Sequence, residues 1–119
     1  MLRVQVPPGP YAPGDTVRGQ VVVDQDVSAR KLLVSLRYVE KSPDYEECAV
    51  EVAAGPLAQG DLRTGATVDF ALELPSDALP GYVSSHGSLR WEVDAWIDKR
   101  GLDPHARVEL QVTAGAHTD

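Results

Sequence analysis

The chain of 119 residues holds one cysteine, one methionine, one phenylalanine and three histidines. A lone Cys48 excludes an internal disulfide, so the fold must be held by its core. It also points to a reducing compartment, most simply the cytoplasm. No run of about 18 apolar residues is present, which excludes a membrane-spanning helix. The start, MLRVQVPPGPY, breaks at prolines after a short semi-apolar stretch and does not read as a secretory signal. Positive charge is scarce as well, with 11 Lys and Arg against 18 Asp and Glu and a net charge of −7. Such a surface repels phosphate backbones, and no basic cluster overrides it, so nucleic acid is excluded as a partner. Helical periodicity is missing throughout, because prolines and β-branched residues recur in every window of helical length.

What is present is alternation. In YAPGDTVRGQVVVD, Pro13 presets φ at the second position of a turn and Gly14 takes positive φ at the third, a type II signal. Asp15 is placed to bond the backbone after it. From Thr16 the period is two, with Val17, Gly19, Val21 and Val23 on one face and Thr16, Arg18 and Gln20 on the other. Gly19 within that run marks a bulge or a close neighbouring backbone.

The same pattern returns at Leu2-Val4-Val6, Leu32-Val34-Leu36-Tyr38 and, more weakly, Cys48-Val50-Val52. It returns again at Val68-Phe70-Leu72-Leu74, at Leu89-Trp91-Val93-Ala95-Ile97 and at Ala106-Val108-Leu110-Val112. Ser42-Pro43-Asp44, Gly55-Pro56, Gly60-Asp61, Pro80-Gly81, Gly101 and Asp103-Pro104 punctuate these runs as turns. About seven strands, each with one apolar face, imply an all-β, antiparallel, immunoglobulin-like sandwich, with a closed barrel as the alternative. The domain is expected over residues 1–113, with a loose tail at 114–119.

With the strands placed, the motif Tyr11-x-Pro13-Gly14-Asp15-x-Val17-x-Gly19-x-Val21-x-Val23 resembles the opening of the arrestin-like N-terminal domain. Leu62-x-x-Gly65-x(4)-Phe70-x-Leu72-x-Leu74-Pro75 resembles that family's second signature, and Leu79-Pro80 and Ser88-Leu89-x-Trp91-x-Val93-x-Ala95 follow in order. The resemblance runs from Val4 to Val112. Its family includes arrestins, arrestin-domain trafficking adaptors, a retromer subunit and bacterial sporulation-control proteins of the Spo0M type. The stretch from Val93 to Asp103 is most similar to the bacterial branch. The resemblance implies an arrestin-like sandwich that binds proteins without catalysis or cofactor, in a regulatory setting. Arrestins carry two such lobes and this chain has length for one, so their receptor binding is not carried over. Pro7-Pro8-Gly9-Pro10-Tyr11 nearly matches the ligase-recruiting Pro-Pro-x-Tyr of the adaptors but sets the tyrosine one residue late. It reads as a strand-to-turn connection.

Reactive groups are few. Cys48 has no motif partner and sits on the apolar side of its alternation, as a small core residue. His86, in SSHGS, lacks a nucleophile elbow and reads as a solvated hairpin loop. Asp98, Asp103 and His105 bracket one turn, and they carry the rival reading of a small metal-binding protein or hydrolase, although no spacing matches a zinc or calcium signature. If Leu89, Trp91, Val93, Ala95 and Ile97 face the core, period two turns Trp96 outward with Arg90, Glu92, Asp94 and Asp98. A large aromatic among charges is a contact anchor for a protein partner or a second copy of the chain, unless a neighbouring side chain covers it.

Overall fold

In the computed structural model, which describes residues 2–99, 101 and 103–113, the chain forms strands and no helix. The expected tail, 114–119, lies outside the described residues. No helix among them is long and apolar enough to cross a membrane.

Among the described residues eight antiparallel strands make two sheets. β1 (Leu2–Gln5), β2 (Thr16–Val23) and β5 (Thr67–Glu73) form the smaller, in the order β1-β2-β5. β3 (Val27–Lys41), β4 (Glu46–Leu62), β6 (Tyr82–Ser84), β7 (Gly87–Asp98) and β8 (His105–Leu110) form the larger, in the order β4-β3-β7, with β6 and β8 both paired to β7. Two sheets with separate strand orders make this a sandwich and not a closed barrel. The expected inward residues form its core, with Val17, Val21 and Val23 of β2, Leu32, Val34 and Leu36 of β3, and Val93, Ala95 and Ile97 of β7 wholly buried.

The turn that opens β2 forms as expected. Gly14 has φ 86° and Asp15 N donates to Ala12 O at 3.0 Å. The Asp15 side chain, however, bonds backward: Ala12 N donates to Asp15 Oδ2 at 2.8 Å, which closes the turn from both sides. Gly19 marks a close approach. A Cβ there would lie 2.6 Å from Gln5 O and 2.8 Å from the Phe70 ring, so β1 and Phe70 occupy the space a side chain would need.

Three features depart from the sequence pattern. β6 is an added strand of three residues, too short to show a period. β4 runs through Gly55-Pro56 and Gly60-Asp61, whose backbone signals become irregularities in the pairing with β3 instead of chain reversals. The third is a bulge: Tyr38 pairs with Val50 but Val39 with Cys48, so Ala49 is extra. An extra residue flips the faces beyond it. Cys48, expected on the core side, therefore stands half-buried on the outer side, where its sulfur meets Arg37.

Candidate functional site

The outer face of the larger sheet carries most of the candidate residues in ordered rows. Glu51, Arg37, Glu92 and Glu109 lie side by side across β4, β3, β7 and β8. The next row is Ala53, Ser35, Asp94 and Arg107, and the next Leu33, Trp96 and His105. Period two along each strand supplies these residues and long-range register places them abreast.

Asp94 is the centre. The residue is only 4% exposed, and buried charges persist when paired. His105 Nδ1 lies 3.0 Å from Asp94 Oδ1, Arg107 Nε 3.5 Å from the same oxygen, and Arg37 Nη1 3.8 Å from Oδ2. Glu92 sits one row away. It accepts from Arg37 Nη1 at 3.0 Å and lies 3.9 Å from Arg107 Nε. Burial raises the Glu92 carboxyl above its ordinary range, helped by Asp94 and Glu46, while Arg37 and Arg107 pull it back without cancelling the rise. Arg90, farther along, donates to Glu109 Oε2 at 3.0 Å. Glu92 and Glu109 stand directly opposite as like charges, and these arginines offset their repulsion.

Trp96 is turned outward as expected but is not bare. The His105 ring stacks on it, with centroids 5.9 Å apart and planes 18° from parallel. The indole is thus half-buried, its neighbour a histidine held in place by Asp94. Beneath the lattice, Ser35 is fully buried and its hydroxyl has no hydrogen-bond partner among the described residues. Nothing in its sequence context marked it, since its neighbours abreast, Ala53 and Asp94, come from β4 and β7.

The residues of the rival metal or hydrolytic reading are not drawn together. His105 is engaged by Asp94, whereas Asp103 Oδ1 accepts from Lys99 N at 3.4 Å. Among the described residues no group of three His, Cys, Asp or Glu is arranged to hold a metal ion. His86 occupies the exposed two-residue turn between β6 and β7, with its N–H donating to Ser84 Oγ. The geometry on the outer face is that of a mutually neutralised ionic lattice with an aromatic shelf beside it.

The two antiparallel sheets, the Pro13-Gly14-Asp15 turn and the close approach at Gly19 define the class as an all-β antiparallel sandwich, consistent with an arrestin-like fold. Among solved structures the chain is similar to Spo0M, the sporulation control protein of Bacillus subtilis. The likeness has a TM-score of 0.56 and 23% identity, and covers 98% of this chain and 49% of that one. At that identity the likeness is one of fold, and the chain spans about half the length of the solved protein. No family model and no curated protein matches the sequence.

Proposed function

We infer that the chain is a non-catalytic protein-interaction module of the arrestin-like type, whose contact face is the outer side of the larger sheet. The observation that supports this reading is the Trp96–His105 stack, a broad aromatic surface that Asp94 holds at the side of a charged lattice. A pre-set aromatic loses little freedom when a partner covers it, and so anchors binding well. Arg90 and Glu92 extend the face with paired charges that select a register. The resemblance to bacterial sporulation-control proteins supports a regulatory role in a bacterial cytoplasm.

The test compares wild type with Trp96→Ala. Partners are captured on immobilised protein from the source cells and identified by mass, and self-association is followed by sedimentation. The variant is expected to lose a specific partner, or the dimer, with a modest drop in melting temperature. A large loss of stability with capture and sedimentation unchanged would show that Trp96 serves only packing, and the contact reading would fail.

A further inference from the structure

The two sheets differ in length. β3 and β4 have 15 and 17 residues against 8 and 7 for β2 and β5. At about 3.3 Å per residue a 7- or 8-residue strand spans roughly 25 Å, half the 50 Å long axis of the molecule. The inner face of the larger sheet therefore runs on past its cover. After β5, residues 75–80 cross it as a strap. Trp91 Nε1 donates to Leu79 O at 2.7 Å and Tyr38 Oη to Pro80 O at 3.0 Å, the two rings 4.8 Å apart.

Beyond the strap the apolar face is open. The exposed large hydrophobic residues among those described are Tyr45, Val50, Leu79, Tyr82 and Val83, and all stand at this end. Leu79 and Tyr82 are 62% and 60% exposed on this face, whereas Val83, opposite Ser88, turns to the other side of β6. A cavity of about 160 Å³ opens between Leu79, Val50, Ala78 and the Tyr38–Trp91 pair, with Asp77 at its edge. A second hollow joins Tyr45 to Tyr82 and Leu89. Contiguous apolar surface of this kind marks a binding site more often than chance.

The charge around it has one dominant sign. Glu40 and Glu47 face each other directly across β3 and β4, and Asp44, Glu46 and Asp77 lie close by in the same hairpin and strap. Opposed like charges weaken a strand pair, and no ion pair to Glu40, Glu47 or Asp77 exists among the described residues. Tyr45 Oη donates to Glu40 at 2.7 Å and holds that carboxylate at the rim. Lys41 and His86 are the cationic or titratable nitrogen groups nearby.

We propose that this end of the sandwich docks a basic, apolar segment of another protein. An aliphatic side chain enters the cavity below Leu79, and a lysine or arginine meets Glu40 and Glu47. A second copy of the chain would set acid against acid, and an anionic membrane would be repelled for the same reason. The surface lies on the side of the larger sheet opposite Trp96 and stands apart from that reading.

The test uses a labelled short synthetic peptide alternating leucine and lysine, titrated by fluorescence polarisation. Peptides alternating leucine with glutamate and serine with lysine serve as controls. The leucine–lysine peptide is expected to bind about tenfold or more tighter than either control. Leu79→Ser and the double change Glu40→Gln with Glu47→Gln should each weaken it by about five- to tenfold, as loss of an anchor does. Melting should be unchanged in Leu79→Ser and unchanged or raised in the double variant, which removes the facing like charges, and Trp96→Ala should bind as wild type. No binding, equal binding of the serine–lysine control, or binding that survives both variants overturns the proposal. So does a concentration-dependent dimer abolished by Leu79→Ser, which would make a second copy the occupant.

Discussion

Asp94 Oδ1 and His105 Nδ1 lie 3.0 Å apart across neighbouring strands, one residue almost fully buried and the other open to solvent. The pair ties the floor of the outer face to its surface, because the same histidine stacks on Trp96. Removing the carboxylate takes the buried anion from Arg37, Arg107 and His105 and leaves the two arginines with Glu92 alone as a shared partner. Asp94→Ala should therefore destabilise the domain by about 2–4 kcal/mol, toward the range for breaking a buried ion pair. Chemical denaturation measures this directly, and a change below about 0.5 kcal/mol, typical of surface sites, would mean the lattice is structurally idle.

Ser35 supplies the opposite case. Its buried hydroxyl lacks a partner among the described residues, and an unsatisfied buried polar group costs about 1–3 kcal/mol. Ser35→Ala removes that cost and leaves only a very small void. The variant is expected to be as stable as wild type or up to about 1 kcal/mol more stable. A clear loss of stability would show that the hydroxyl is satisfied in solution.

The two glycines of the opening motif separate backbone strain from crowding. Gly14 has positive φ with open space around it, so Gly14→Ala should cost about 1 kcal/mol from conformation alone. Gly19 has no such φ, but backbone blocks its Cβ position at 2.6 Å. Gly19→Val should cost about 3 kcal/mol or more, since β1 must move. Equal melting temperatures for the two variants would contradict this division.

Glu92 and Asp26 pull stability in opposite directions with pH. Burial raises the Glu92 carboxyl, so the folded state holds its proton more tightly than the unfolded chain. Its contribution is full below the ordinary glutamate pKa and is lost as pH rises through the folded value. Asp26 is lowered because the Thr64 backbone N–H and hydroxyl donate to its carboxylate. Its contribution is present above the ordinary aspartate pKa and is lost as pH falls through the folded value. Melting followed from about pH 3 to 7 should show Glu92→Gln flattening the upper part of the profile and Asp26→Asn the lower. Profiles parallel to wild type in both variants would refute these assignments.

The alternation of Val17, Val21 and Val23, of Leu32 to Leu36 and of Trp91 to Ile97 was decided locally. Side-chain direction in a strand reverses at every residue, so the order of residues alone says which share a face. The Pro13-Gly14 turn and the crowding at Gly19 were legible for the same reason, since φ preference and the missing Cβ belong to single residues. Trp96 could likewise be placed outside. Its covering by His105 could not, because that depends on the register of β7 against β8. Pairing between distant strands also decided that β4 continues through Gly55-Pro56, and that one bulge carries Cys48 to the side of Arg37. It set Ser35 and Asp94 side by side on β3 and β7. The unequal lengths of the two sheets, finally, left Val50, Leu79 and Tyr82 without a cover. Period two dictates a face, and only the packed sheets dictate what lies against it.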